Sequence, residues 1–176
     1  MRLTLGTAAV AALFAAATPA AAQTVVTSTA DAQARGVVLT AQSLTKEADL
    51  DFGVITVDPA STGGTVTVAA TALGTQGVTG GVSALSGASQ AAKFVGLGAP
   101  GQSVALTLDP PAAGVLDDGN GHTIDILSMD VDSNGLTRSA DGTGKFIVYV
   151  GGEFDIAPDQ AAGLYSADFA LTAEYQ

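Results

Sequence analysis

Alternation of apolar and polar residues is the feature that most limits what this chain can fold into. Val104, Leu106 and Leu108 share one face of the run at 103–109, with smaller or more polar residues between them. A period of two is typical of half-buried β-strands, because successive side chains of a strand point to opposite faces. The same period recurs in the runs 65–71, 123–127, 145–150 and 165–175.

Pairs of turn-forming residues separate these runs. They are Asp58-Pro59, Gly63-Gly64, Gly80-Gly81, Pro100-Gly101, Pro110-Pro111, Asn120-Gly121, Asn134-Gly135 and Gly151-Gly152. Beyond the N-terminal region, no segment has a convincing helical repeat. Many short strands joined by frequent turns predict an all-β fold, an immunoglobulin-like β-sandwich, with a small barrel as the other arrangement of such strands.

The first 22 residues have the layout of a secretory signal peptide. Arg2 supplies a positive charge, residues 3–17 are apolar, and three alanines ending at Ala22 offer a cleavage site. The apolar run is shorter than the roughly 20 residues that span a bilayer. We therefore expect a mature chain that begins at Gln23, inserts in no membrane, and travels through the periplasm to the extracellular cell surface.

Composition narrows the classes of function. The chain carries 17 acidic and 6 basic residues, and its formal net charge of −11 repels nucleic acid and anionic lipids but attracts basic partners or cations. It has no cysteine, which removes disulfides, thiol catalysis and zinc–cysteine sites. Residues 23–35 are rich in threonine, serine and alanine. We interpret them as an extension ahead of a single β-sandwich domain at 36–176.

The last fourteen residues carry the most informative pattern. Gly163 opens the run and Tyr175 is the penultimate residue. The side chains that share one face are Tyr165, Ala167, Phe169, Leu171, Ala173 and Tyr175. This ending resembles the C-terminal strand of chaperone–usher pilins, which combine a glycine at this distance from the C-terminus with alternating apolar positions and a penultimate tyrosine.

The resemblance implies an incomplete sandwich that a donated strand completes. In such pilins the C-terminal strand borders a groove, which a periplasmic chaperone fills first. The N-terminal extension of a neighbouring identical subunit replaces the chaperone during assembly at an outer-membrane usher. The implied function is that of a non-enzymatic subunit of a fimbria- or pilus-like filament, with cell adhesion as a further role.

The resemblance also implies site residues. The polymerisation groove would contain Gly163, Tyr165, Phe169, Leu171 and Tyr175. The donor strand would be residues 23–35, with Val26, Ser28, Ala30 and Ala32 facing the groove. Except for Val26 these donor side chains are small, and a register that includes Val37 and Leu39 is the alternative.

The chain is also similar to a family of small secreted bacterial domains of unknown function. The similarity covers most of the mature chain in short, glycine-rich pieces. These are Leu50-Asp51-Phe52-Gly53, Gly63-Gly64-Thr65-Val66, Val150-Gly151-Gly152 and Gly163-Leu164-Tyr165.

One loop has the spacing of a calcium site. Asp130, Asp132 and Asn134 stand at its first, third and fifth positions, and Asp141 stands at the twelfth. Such oxygen ligands suit a hard cation, although the flanks read as strands and the same residues also suit an acidic hairpin turn. Calcium is the one cofactor that the sequence suggests. A complete surface domain that binds a ligand or calcium is therefore the alternative function.

No constellation of residues predicts catalysis. His122 is the only histidine, and no nucleophile motif accompanies it. Glu47, Glu153 and Glu174 are the only glutamates, and nothing marks two of them as the carboxylate pair of a glycosidase. We expect the protein not to be an enzyme.

Overall fold

The computed structural model describes residues 32–85 and 89–176. These residues form an all-β, sandwich-like arrangement consistent with an immunoglobulin-like fold, so the predicted fold class is confirmed. The strands are β1 (Ser43–Ala48), β2 (Ile55–Val57), β3 (Gly64–Val68), β4 (Gln76–Val78), β5 (Val82–Ala84), β6 (Ala92–Leu97), β7 (Ser103–Asp109), β8 (Val115–Asp117), β9 (Thr123–Val131), β10 (Thr137–Ser139), β11 (Lys145–Ile156) and β12 (Ala170–Tyr175).

Two sequence predictions fall partly outside this description. The signal peptide at residues 1–22 and most of the extension at 23–35 lie ahead of the first described residue. Residues Val37–Gln176 form one compact unit, which contains all twelve strands. Within the two described ranges, no helix has the length and apolarity needed to cross a membrane.

The larger sheet is organised around β11, which is its longest strand. β1, β6 and β11 lie side by side in that order, with antiparallel pairing. The second half of β11 pairs with both β3 and β9, so these two strands lie on opposite sides of it. β4 extends the sheet beyond β3, and β8 pairs with β9.

The smaller sheet has the order β10-β7-β12, and its central strand β7 supplies the buried Val104 and Leu106. These side chains meet Phe94 of β6 and Val148 of β11 in one hydrophobic cluster between the two sheets. A second cluster contains Val66, Val82, Ile124, Phe154 and Ile156. The short β2–β5 pair contributes to this second cluster through Val82.

The prediction of a turn at Gly151-Gly152 is wrong, because both glycines lie inside β11. A Cβ atom on Gly151 would lie 2.2 Å from the Val68 carbonyl oxygen and 2.6 Å from the Ala70 amide nitrogen. One on Gly152 would lie 2.9 Å from the Ser128 carbonyl oxygen. Glycine is therefore required here by the close approach of neighbouring backbone.

Candidate strand-accepting groove

β12 is an edge strand of the smaller sheet. It pairs antiparallel with β7, from Ala170 opposite Asp109 to Tyr175 opposite Val104. Within residues 32–85 and 89–176, no strand pairs with its other side. β1, the edge strand of the larger sheet, lies beside it. The sandwich therefore has an unpaired strand edge on this side.

The ladder between β12 and β7 shows which backbone groups face that edge. The Gln176 amide donates to the Ser103 carbonyl at 3.1 Å, which makes this a hydrogen-bonded pair. Hydrogen-bonded and non-hydrogen-bonded pairs alternate along an antiparallel ladder. The N–H and C=O groups of Leu171, Ala173 and Tyr175 consequently point away from β7, towards the free edge.

The side chains of the same three residues point towards the core. Leu171, Ala173 and Tyr175 are half-buried against the cluster that contains Phe94, while the alternate residues of β12 are exposed. Phe169 lies just ahead of the strand, with its ring edge-on to that of Phe94 at a centroid distance of 6.1 Å. We call the free edge of β12, with the side chains of Phe169, Leu171, Ala173 and Tyr175, the β12 groove.

The hydroxyl of Tyr175 fixes one end of this groove. It accepts a hydrogen bond from the Ala99 amide at 2.6 Å and donates one to the Thr40 carbonyl at 2.8 Å. Ala99 follows β6, and Thr40 precedes β1. A Cβ atom on Gly98 would lie 2.9 Å from the hydroxyl oxygen, so a glycine there leaves room for the phenol.

The terminal strand is shorter than the alternation at 165–175 predicts. β12 begins at Ala170, and ahead of it Ser166 forms an isolated bridge with Asp117 through two hydrogen bonds of 3.0 Å. Tyr165 packs against the second hydrophobic cluster and donates to the Ala161 carbonyl at 2.7 Å. Gly163 lies in an exposed loop. The structure thus brings Phe169, Leu171 and Tyr175 together, but places Gly163 and Tyr165 elsewhere.

A second opening lies between β7 and β9, away from β12. It is a cleft of about 700 Å³, lined in part by Leu106, Leu108, Met129, Val131 and Leu136. Sequence reasoning did not find it, because its walls come from strands that are distant in the chain. It supplies a natural comparison for tests of the β12 groove.

The predicted calcium loop places Asp132 in an internal ion pair. The Asp132 carboxylate is buried and accepts from the guanidinium of Arg138 at 2.7 Å. It also accepts from the Asn134 amide at 3.0 Å and from the Tyr149 amide at 3.0 Å. The Arg138 Nε donates to the Ile147 carbonyl at 3.4 Å. Both oxygens of Asp132 therefore have partners from the chain itself.

The other predicted calcium ligands do not join Asp132 in a cluster. Asp130 is exposed on β9, opposite Gly151. The Asp141 carboxylate accepts from the Thr143 hydroxyl at 2.6 Å and from the Lys145 amide at 2.9 Å, and these bonds lower its pKa. In the described part of the chain, no three acidic or histidine side chains are grouped as metal ligands.

The one histidine pairs with a carboxylate in the turn between β8 and β9. The ring Nδ1 of His122 lies 2.8 Å from Asp118 Oδ2. The amides of Asn120 and His122 donate to Asp118 Oδ1 at 2.8 and 3.1 Å. The bond to the His122 ring, followed by these amides, lowers the pKa of Asp118 to about 2. This arrangement stabilises a turn and contains no nucleophile.

Comparison with known proteins assigns the chain to a family. The family model described as a domain of unknown function, DUF4402, matches residues 42–175. The chain belongs to this family. No curated protein and no solved structure matches it.

The DUF4402 match contains every strand of the described fold and the complete β12 groove. It also contains all the short segments on which the similarity to small secreted bacterial domains is based. The predicted donor residues precede it. Val26, Ser28 and Ala30 lie outside the described residues, whereas Ala32 is exposed and belongs to no strand.

Proposed function

We propose that this DUF4402 protein is a structural subunit of an extracellular fimbria- or pilus-like filament, assembled by donor-strand exchange after export through the periplasm. The single observation that carries the proposal is the β12 groove. The backbone groups that face the free edge and the half-buried apolar side chains belong to the same residues, on an edge that no strand of residues 32–85 and 89–176 pairs with. Such an edge is a template for an additional strand.

The strand order supports the position of the added strand. A constant-type immunoglobulin sandwich has strands A, B, E and D in one sheet and C, F and G in the other. The order β1-β6-β11-β9 corresponds to A-B-E-D, and the pair β7-β12 corresponds to C-F. Strand G would lie on the free edge of β12. The donor is therefore proposed to take the place of strand G.

The physical gain from a donated strand is direct. Leu171, Ala173 and Tyr175 each offer an N–H and a C=O group, and a paired amide–carbonyl bond contributes about 0.5–1.5 kcal/mol net. The guest strand would also remove the exposed part of the groove side chains from water, which contributes about 25 cal/mol per Å² of apolar surface. Small donor side chains such as Ala30 and Ala32 suit a groove whose own side chains are already half-buried.

The proposed donor is the segment at 23–35 of a neighbouring identical subunit. A contact between an extension and a groove is heterologous, and a heterologous contact whose rotation does not close into a ring produces a linear filament. A periplasmic chaperone and an outer-membrane usher are the proposed assembly partners, because an open apolar groove needs cover before assembly. Cell adhesion by the filament is a further proposal.

Matched substitutions in the groove test the acceptor. Leu171→Asp places a charge inside the β12 groove, while Met129→Asp places one at the cleft between β7 and β9, on a side chain of similar burial. We expect Leu171→Asp to abolish filaments seen by electron microscopy of surface material, and Met129→Asp to retain them. Filaments lost only in Met129→Asp would assign the guest strand to the other cleft.

Matched substitutions in the extension test the donor. Ala30→Asp changes a side chain on the proposed inward face, and Thr29→Asp changes its neighbour on the outward face. We expect only Ala30→Asp to leave a monomer in size-exclusion chromatography. If neither variant affects assembly and a peptide of residues 23–35 does not stabilise the protein, the complete surface domain replaces this proposal.

A further inference from the structure

The Tyr175 hydroxyl joins three parts of the fold that are distant in the chain. It belongs to β12, accepts from the Ala99 amide at 2.6 Å after β6, and donates to the Thr40 carbonyl at 2.8 Å ahead of β1. Thr40 is four residues from Gly36, where the compact unit begins to give way to the extension. One phenol therefore connects the accepting strand to the segment that leads to the donor.

This segment, residues 37–42, has little else to hold it. It forms no strand, and Val37 and Val38 are 85% and 97% exposed. Among residues 32–85 and 89–176, its one hydrogen bond to the rest of the fold is that between the Thr40 carbonyl and Tyr175. The buried Nε2 of Gln42 has no acceptor within the same ranges, so the free-energy cost of burying this polar group is not offset by a hydrogen bond. The order of the segment is consequently sensitive to the position of Tyr175.

We propose that the Tyr175 hydroxyl couples filling of the β12 groove to ordering of residues 37–42. The inference rests on the proposed function. A guest strand that pairs with the N–H and C=O of Tyr175 restrains this end of β12, which as a terminal edge strand opens locally at low cost. The restrained phenol then holds the Thr40 carbonyl. A subunit whose groove is filled therefore presents its own donor segment from a fixed position.

Binding linkage makes this coupling reciprocal. If a filled groove orders residues 37–42, then order in that segment raises the affinity of the groove for its guest by the same factor. Growth of a filament would accordingly favour subunits that already hold a neighbour. Tyr175 is a positioning residue in this scheme, since its hydroxyl acts through Thr40 and not on the donor.

Amide hydrogen exchange at β12 and backbone NMR order parameters at 38–42, both measured on the full chain, test the coupling. The monomer is measured alone, with excess synthetic peptide of residues 23–35, and with a scrambled peptide of the same composition. We expect the native peptide to slow amide exchange at 171–176, where it pairs, and to raise the backbone order parameters at 38–42 from below about 0.6 towards about 0.85. In Tyr175→Phe the protection at 171–176 should remain and the rise in order at 38–42 should be lost.

Tyr165→Phe is the matched control. Its hydroxyl also accepts one hydrogen bond, from Gln160 Nε2 at 2.8 Å, and donates one, to the Ala161 carbonyl at 2.7 Å, but it packs in the second cluster. This variant should behave like the unchanged chain at both segments. Gly98→Ala, which crowds the Tyr175 hydroxyl and retains its ring, should weaken the coupling and replaces Tyr175→Phe if that variant does not fold.

The outcomes separate the inference from the function on which it rests. Protection at 171–176 without a rise in order at 38–42 in the unchanged chain overturns the coupling and leaves the donor-strand function standing. A retained rise in order at 38–42 in a folded Tyr175→Phe variant also overturns it. Absence of protection at 171–176 with the native peptide overturns both.

Discussion

The two edges of the smaller sheet differ in the contacts that they make with the rest of the chain. On the β10 side, the buried Arg138 reaches across to the larger sheet, where it pairs with Asp132 and donates to the Ile147 carbonyl of β11. On the β12 side, the strand edge is unpaired in the described residues, and Leu171 and Tyr175 are half-buried. The first edge is closed at this point by polar groups of the same chain, and the second has no described strand on its outer side.

This difference separates two sources of stability. A buried ion pair stabilises the fold only while both partners are present, because removal of one leaves an uncompensated buried charge. An open apolar edge adds to the stability of the fold only when a guest strand binds to it. The β10 edge should therefore determine whether the subunit folds, and the β12 edge should determine how much a partner adds to it.

The largest expected effect is on the closed edge. Arg138→Met should lower the free energy of unfolding by about 3–5 kcal/mol, because it leaves the Asp132 carboxylate buried without its cation. Urea unfolding followed by circular dichroism measures the change. Lys46→Met is the control, since the pair of Lys46 with Asp49 is exposed and contributes at most about 1 kcal/mol. Equal losses in the two variants would remove the contrast between a closed and an open edge.

The next effect concerns the open edge and depends on the guest. Leu171→Ala should cost only about 1 kcal/mol in the monomer, where the side chain is half-buried, and about 2–5 kcal/mol when the peptide of residues 23–35 covers it. Unfolding with and without the peptide measures both values. The fully buried Val104 is the control, because Val104→Ala should cost the same in both conditions. A peptide-independent cost for Leu171→Ala would mean that the edge has no guest.

A smaller effect appears in acid. The pKa of Asp118 falls to about 2 in the folded chain, below its ordinary value, mainly through the bond to the His122 ring. A lowered folded pKa contributes stability that is present above the ordinary pKa and is lost as the pH falls through about 2. Because Asp117 bridges Ser166 on the approach to β12, acid should loosen this approach first.

The acid prediction is measured by amide exchange at Ser166 between pH 4 and pH 2, in about half-unit steps around the ordinary carboxyl range. In the unchanged chain, protection at Ser166 should decrease across this window. In Asp118→Asn it should be low throughout and nearly independent of pH. A decrease of the same size in both would assign the acid sensitivity to another carboxylate.

The smallest expected effect is that of calcium. Asp132 is occupied by Arg138 and two amides, and Asp141 is occupied by Thr143 and Lys145, so millimolar calcium should leave the melting temperature unchanged. A ligand that binds only the folded state would raise it by mass action. A rise that Asp130→Asn abolishes would restore the predicted site and favour the alternative of a calcium-binding surface domain.

Local pattern was enough to predict much of the fold. The alternation at 103–109 matches β7 residue for residue, and the run at 145–150 matches the first half of β11. The local pattern at Gly151-Gly152 predicts a turn, because the sequence contains no sign that other strands pack so closely there. The pattern predicts a terminal strand that is too long, because Tyr165 and Phe169 keep the period-two spacing of β12. Phe169 packs in the same cluster as β12, whereas Tyr165 packs in the second cluster.

The candidate site was predictable only in part. The spacing of Phe169, Leu171 and Tyr175 placed three apolar side chains on one face, and the structure places all three in the first cluster. The partners of the Tyr175 hydroxyl lie 76 and 135 positions away in the chain, beyond the reach of any local pattern. The loop spacing visible in the sequence predicts Asp132 as a calcium ligand, whereas the buried position of Arg138 follows from the pairing of β10 with β7.

The pattern of positions along β12 has a consequence for sequence variation in the proposed donor. Leu171, Ala173 and Tyr175 carry both the backbone groups that face the free edge and the side chains that face the core, so a guest strand would meet the core with only every second side chain. A shift by one position would turn all its inward side chains out at once. If the proposed filament forms, half of the donor positions would be constrained by the core of the accepting subunit, and the other half, facing water, could change in charge and chemistry.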